Sequence, residues 1–250
     1  MTTSREGLYG KTALVTGGAK RIGRAITLAL AAAKSNVVVH CLRSAAEAEA
    51  LVEDLRGQGV QAWVVRADLA EVRGPEMLWT QATEAAGPID ILINNASVFS
   101  EDRLPDVTIE SIETNLHVHA WAPLALSRSL AAQGREGAIV NLLDARVENY
   151  DREHAAYHLS KRMLLSLTRL MALEFAPRVR VNGVAPGLIL PPAGKDHEYL
   201  ERQAGTNPLA RYGSPELVAD AVLFLLRNDF ITGQVIFVDG GRHLRGVVYA

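Results

Sequence analysis

The chain has 250 residues, 48% of them hydrophobic and 22% charged, enough to bury a full core and within the size range of one large α/β domain. A formal net charge of -2 without a long basic run gives no electrostatic basis for a nucleic-acid or acidic membrane partner, and no apolar run approaches the roughly 18 residues that span a bilayer. A single cysteine, Cys41, excludes an intramolecular disulfide or a cysteine-built metal cluster, and the start from Met1 to Gly10 is polar rather than signal-like, so a cytoplasmic protein acting on a small molecule without a metal is expected.

Taken in chain order, short β-branched runs at Thr12–Thr16, Asn36–Cys41, Ala62–Arg66, Ile89–Asn94, Ala138–Leu143, Val179–Ala185 and Gln234–Val238 alternate with amphipathic helical stretches. The runs are continuously apolar rather than alternating, as in strands covered by helices on both faces. The expected fold is a single-domain, doubly wound, Rossmann-like α/β fold: a parallel seven-stranded sheet with helices on both faces, spanning residues 1–250. Residues 1–10 are expected as a polar tail. Residues 188–208, with Pro191, Pro192 and Gly194, form a longer connection than usual. It reads as a substrate-covering loop with a short helix from His197 to Gln203, with a passive surface excursion as the alternative.

The first strand runs into Thr16-Gly17-Gly18-Ala19-Lys20-Arg21-Ile22-Gly23 and then a helix from Arg24 to Ala33. This aims free backbone N–H groups and a positive dipole end at a pyrophosphate. Gly17 and Gly18 permit unusual backbone angles, and Gly23 permits close helix–sheet approach. The string is not a strict G-x-G-x-x-G, so its position after the first strand carries the reading. The second strand ends His40-Cys41-Leu42-Arg43-Ser44, with no carboxylate to hold an unmodified ribose. Arg43 and Ser44 offer contacts to a 2′-phosphate, and Arg21 is expected to reach it from the other side, so NADPH is the expected cofactor. His40, Lys20 and Ile22 belong to the same cofactor-binding set.

Further along, Tyr157 and Lys161 stand at i and i+4 at the start of a helix and share one face. An ammonium held near a phenol lowers its pKa toward the working range, and the lysine can also hold the nicotinamide ribose.

With these residues, the chain resembles the short-chain dehydrogenase/reductase family over nearly its whole length. The resemblance also rests on Ala67-Asp68-Leu69, Asn94-Asn95-Ala96-Ser97, Asn115 and Val181-Asn182-Gly183-Val184-Ala185-Pro186-Gly187. It implies that Asp68 and Leu69 contact the adenine, that Asn95 and Ala96 lie by the ribose, and that Pro186, Gly187 and Leu188 lie against the nicotinamide. It also implies that Asn115 supports a water-linked proton relay to Lys161.

Most carbonyl-reducing members carry a serine after the fifth strand, but here that strand ends at Asp144 and no serine precedes Tyr157. A carboxylate accepts hydrogen bonds without donating them, so it would repel a developing alkoxide. It suits a ring C=N bond, which takes hydride at carbon and a proton at nitrogen, and it can receive the N–H donors of a pterin's amino-pyrimidine edge. Asp144 would also raise the phenol's pKa and keep Tyr157 protonated. As a plain turn cap, Asp144 would have no such role.

This departure resembles the pteridine reductase branch, as do Ala19-Lys20-Arg21, Arg43-Ser44-Ala45, Ser97-Val98-Phe99 and the end Asp239-Gly240-Gly241-Arg242-His243-Leu244-Arg245. The resemblance implies that Phe99 stacks the pterin on the nicotinamide, that Ser97 binds pterin or phosphate, and that Asp144 with Tyr157 delivers the proton. Cys41 and Leu42 depart from the branch, which places an aromatic and a histidine there. The implied activity is reduction of dihydropterin or dihydrofolate to the tetrahydro form, with oxidised pterin as a further substrate. The implied assembly is a homotetramer using helices Thr108–Gly134 and Tyr157–Pro177. Two alternatives stay open: a carbonyl reductase acting on a 3-ketoacyl thioester or sugar, and a non-catalytic NADP-binding regulator.

Overall fold

The computed structural model describes residues 8–192 and 194–246. Seven strands, β1 (Thr12–Val15), β2 (Asn36–Cys41), β3 (Ala62–Arg66), β4 (Ile91–Asn94), β5 (Gly137–Leu142), β6 (Val179–Pro186) and β7 (Val235–Val238), form one sheet in the order β3-β2-β1-β4-β5-β6-β7. Every neighbouring pair is parallel. The strand boundaries fall within two residues of the apolar runs in the sequence.

Successive strand residues point to opposite faces, and both faces are covered. Ala13, Val15, Val37, Val39, Ile91, Ile93 and Val140 enter one core, with α1 (Arg21–Ala32) and α8 (Pro215–Arg227). Leu14, Val38, Leu92, Ile139 and Val181 enter the other, with α3 (Gly74–Ala86), α5 (Ala122–Ala132) and α6 (Ala155–Glu174). Each such Val, Leu or Ile side chain contributes on the order of 1.5–3 kcal/mol by leaving water, so neither face tolerates a polar alternation. The remaining helices are α2 (Ala45–Gly57), α4 (Ile109–Leu116) and α7 (His197–Gln203). A π turn, His117–Trp121, joins α4 to α5, so the stretch read as one helix is interrupted by a wider turn. α7 has the bounds expected for it, with Asp196 accepting from the Tyr199 amide at its start.

The expected tail is shorter than 1–10. Leu8 is buried in the core, and its carbonyl accepts the Ser35 hydroxyl at 2.9 Å. Residues 1–7 of that expectation, and Ala193 of the long loop, lie outside the described residues. Among the described residues no helix is long and apolar enough to cross a membrane.

The chain leaves β1 toward β2 and β3 on one side, and continues from β4 toward β5, β6 and β7 on the other. The loops leaving β1 and β4 therefore diverge and open a crevice beyond the carboxyl ends of these strands.

Candidate active site

The crevice encloses about 550 Å³. Its walls are Gly17, Lys20, Arg21, Ile22 and Gly23 after β1, Asn95, Ala96, Ser97 and Phe99 after β4, Asp144 and Arg146 after β5, Tyr157 and Lys161 on α6, and Pro186 to Leu190 after β6. Tyr199 of α7 and Arg242 after β7 complete the lining.

The phosphate loop is held by polar contacts from β4. The Thr16 hydroxyl accepts from the amides of Asn95 and Ala96, both at 2.9 Å. The Asn95 side-chain amide donates to the carbonyls of Thr16 at 2.8 Å and Gly17 at 3.1 Å. A Cβ on Gly23 would stand 2.2 Å from the Gly17 carbonyl oxygen and 2.5 Å from Asn95 Nδ2, so only glycine lets α1 start this close to the loop. The tight loop, the helix N-terminus facing an open crevice and the absence of a carboxylate after β2 fit a phosphorylated dinucleotide.

Two expectations about this end of the crevice are corrected. His40 does not face the crevice. Its ring is buried, Nδ1 accepts from the Gly17 amide at 3.1 Å, and Nε2 donates to the Ala67 carbonyl at 3.1 Å. Burial pushes its pKa down to about 4, so the ring is a neutral strut between the phosphate loop and the end of β3.

Arg21 does not converge with Arg43 either. Its φ of +54°, in a region L-residues rarely adopt, starts α1 from a left-handed residue, and its guanidinium donates to the Pro191 carbonyl at 2.6 Å. It thus spans the crevice to the 188–192 segment. Lys20 is ion-paired with Glu47 of α2. Arg43 is exposed beyond β2, Ser44 makes no side-chain cap bond to α2, and Asp68 accepts the Ala70 amide at 2.9 Å while Leu69 is buried.

At the other end, Asp144 does two things at once. Oδ1 accepts the Arg146 amide at 2.7 Å and caps the 3-10 turn Ala145–Glu148, while Oδ2 accepts the Tyr157 hydroxyl at 3.0 Å. The turn-cap and phenol-partner readings are therefore compatible. Burial, and next Asp144, hold the Tyr157 phenol well above its ordinary value, so it is a protonated donor. Lys161 is 3% exposed and donates to the Leu142 carbonyl at 2.7 Å, with its Nζ 5.7 Å from the Tyr157 ring centre. Burial pushes its pKa down to about 8, against the pull of Asp144.

Asn115 lies outside the crevice lining. Its amide donates to Ser100 Oγ and to the Ser111 carbonyl, both at 2.9 Å, just ahead of the π turn. It makes no direct bond to Lys161 among the described residues. Phe99 is 44% exposed; one face stacks on His154 at 4.1 Å, and its ring meets that of Tyr157 edge-on at 4.8 Å. The exposed remainder of the ring borders the crevice.

Several supporting residues escape sequence reading. Buried His119, in the π turn, accepts the Val98 amide at 3.2 Å, bonds Ser97 Oγ at 2.9 Å and bonds Ser160 Oγ at 2.8 Å through its other nitrogen. Burial and then Lys161 hold it far below the ordinary histidine pKa, hence neutral. It fixes the segment that carries Ser97 and Phe99. Asp151 pairs with Arg146 and also binds His154 Nδ1 at 2.9 Å, steadying the ring under Phe99. The only local signal was His154 at three residues from Asp151; the other partners are distant in sequence. Arg242 had its place in the C-terminal string but no role. Among the described residues no cluster of His, Cys, Asp or Glu could hold a metal.

A parallel doubly wound sheet, a phosphate loop after its first strand, and a Tyr157–Lys161 pair across the same crevice define a nucleotide-dependent oxidoreductase architecture. Residues 17–243 match the family described as Enoyl-(Acyl carrier protein) reductase, and the chain belongs to the short-chain dehydrogenase/reductase family of oxidoreductases.

Among its relatives, L-xylulose reductase of Mesocricetus auratus is 36% identical over 246 residues, covering 94% of this chain and 97% of that protein. The structure is similar to FolM alternative dihydrofolate reductase 1 from Brucella canis complexed with NADP, with a TM-score of 0.92, 36% identity and coverage of 99% of this chain and 98% of that one. FolM alternative dihydrofolate reductase 1 from Brucella suis in complex with NADP is 38% identical, with a TM-score of 0.89 and coverage of 96% of each chain.

Proposed function

We propose that the protein is an NADPH-dependent pteridine reductase that takes dihydropterin or dihydrofolate to the tetrahydro form, and oxidised pterin as a further substrate. The observation that carries this reading is the 3.0 Å bond from the Tyr157 hydroxyl to Asp144 Oδ2, at the place where a serine would donate to a carbonyl oxygen. A ring nitrogen in a C=N bond needs a proton donor, and Tyr157 held protonated is one. The carboxylate beside it accepts pterin N–H groups and would repel an alkoxide.

The likeness to two FolM structures supports the same substrate class. NADPH supplies the hydride when bound. Gly17 to Gly23 would cradle its pyrophosphate, Arg43 and Ser44 would meet its 2′-phosphate, and Asp68 with Leu69 would border its adenine. Lys161 would direct its remaining N–H groups to the nicotinamide ribose, with Asn95, Ala96 and Pro186 to Leu188 alongside. Phe99 and Ser97 would receive the pterin, and Asn115 would act on the proton path only through intervening water.

A second reading, reduction of a sugar or other carbonyl, is favoured by the 36% identity to an L-xylulose reductase. The chemistry of Asp144 weighs against it. Exposed Leu159, Met163, Leu170 and Leu173 along α6 support an oligomer built on that helix, of which the homotetramer is our expectation, and buried Cys41 suits the reducing cytoplasm. The test is NADPH oxidation with dihydrobiopterin, dihydromonapterin, dihydrofolate, L-xylulose and acetoacetyl thioester. Turnover of the pterins is expected. Turnover of carbonyl substrates alone overturns the proposal, and no turnover of any points to the binding regulator.

A further inference from the structure

We infer that Arg242 forms an anion subsite at the substrate end of the crevice, so that the preferred pterin carries a negatively charged substituent. This rests on the pteridine reading. Arg242 opens the 3-10 turn Arg242–Gly246, which follows β7 and packs against the turn Ala145–Glu148 that Asp144 caps. The two turns are tied by the Asn149 side-chain amide donating to the His243 carbonyl at 3.0 Å.

The nearby carboxylates are engaged elsewhere. Asp239 accepts the amides of Gly241 and His243 at 2.9 and 2.7 Å and binds the His243 ring at 2.8 Å. Asp151 is shared by Arg146 and His154, and Asp144 by the Arg146 amide and Tyr157. The Arg242 side chain makes no hydrogen bond or ion pair among the described residues, although the residue is half-buried and lines the crevice with Tyr199.

A guanidinium stays charged at any working pH. Burial and the neighbouring Arg146 both disfavour its charge, as the downward direction of its pKa records. Asp144, Tyr199 and Asp239 pull the other way from a distance, but none pairs directly with the guanidinium, so a ligand anion in contact with it would be favoured. The loop Gly17 to Gly23 would take the cofactor's phosphates, so a separate anion is needed for this guanidinium.

Pterin chemistry places the missing charge. In a 7,8-dihydropterin the C=N bond that takes hydride and proton joins N5 to C6, and C6 carries the side chain. A ring presenting N5 to Tyr157 therefore presents its side chain close by, and Arg242 lines the same crevice within electrostatic reach of Asp144, the partner of Tyr157. A carboxylate or a phosphate on the side chain satisfies the same guanidinium, bidentately in either case.

The test is equilibrium binding to the NADP-loaded enzyme, read by pterin fluorescence, for 6-carboxypterin, the phosphate ester of 6-hydroxymethylpterin, and neutral 6-hydroxymethylpterin. At least one anionic ligand is expected to bind about tenfold more tightly than the neutral one, with the advantage shrinking as salt is added. Which anion gains more identifies the source of the charge. Arg242→Gln should bring the anions to the affinity of the neutral ligand, while Arg242→Lys keeps part of the advantage. Equal affinities in the unaltered enzyme, or a preference that survives Arg242→Gln, overturns the subsite alone. Binding of none of the three overturns the pteridine reading, and this inference with it.

Discussion

Replacing Asp144 with serine separates its two contacts. Serine is as good a cap as aspartate, so the turn Ala145–Glu148 should persist and stability should change by less than about 1 kcal/mol. The shorter side chain withdraws the oxygen that accepts from Tyr157 at 3.0 Å and removes one of two carboxylates near Arg146, leaving Asp151 in place. A hydrogen bond to a charged group is worth about 1.5–3 kcal/mol, which at about 1.4 kcal/mol per decade corresponds to a loss of roughly 10- to 100-fold in pterin turnover. The assay is kcat for a dihydropterin at saturating NADPH, alongside NADPH affinity by fluorescence titration. Affinity should stay nearly intact, because the Asp144 side chain bonds only the Arg146 amide and Tyr157 and not the loop Gly17 to Gly23. Turnover of a ketone should rise, because the serine hydroxyl can donate to a carbonyl oxygen. Unchanged pterin turnover would refute the reasoning and reduce Asp144 to its cap. Asp144→Asn is the companion variant: its amide oxygen keeps the cap, and its lost charge should still slow pterin reduction.

Arg43→Ala should raise the KM for NADPH by about 10-fold or more while barely moving that for NADH, since a charge-assisted bond to the 2′-phosphate exists only in the former; equal changes would sink the assignment. The pH dependence should reflect Lys161 rather than Tyr157: kcat/KM should fall above about pH 8 as the buried ammonium is lost, while the phenol stays protonated through that range. Stability should move the other way. The unfolded chain holds the Lys161 proton up to 10.5 and the folded one only to about 8, so stability rises with pH across that window, by roughly 3 kcal/mol at most. Comparing urea unfolding with Lys161→Met isolates this slope, and parallel pH curves for the two proteins would contradict it.

Much of this protein is decided within short stretches of chain. The strands are visible as unbroken apolar runs because helices bury both sheet faces, and α7 is bounded by Asp196 at its own cap. Tyr157 and Lys161 declare a shared helix face by spacing alone, and the acidic residue after β5 is visible because a serine is missing from the interval that follows. Tertiary structure decides what no spacing encodes. His40 turns inward because the Gly17 amide and the Ala67 carbonyl, on separate loops, converge on its two ring nitrogens. Arg21, at a positive φ, donates to the Pro191 carbonyl, 170 residues away, a partner no local pattern announces. His119 beside Ser97, Asp151 holding the His154 ring on which Phe99 stacks, and Arg242 without a direct ion pair likewise depend on segments brought together by the sheet. Local periodicity and neighbouring chemistry specify elements and a reacting pair; which charge meets which donor is set only when remote segments pack, because burial and a few ångströms determine electrostatic strength.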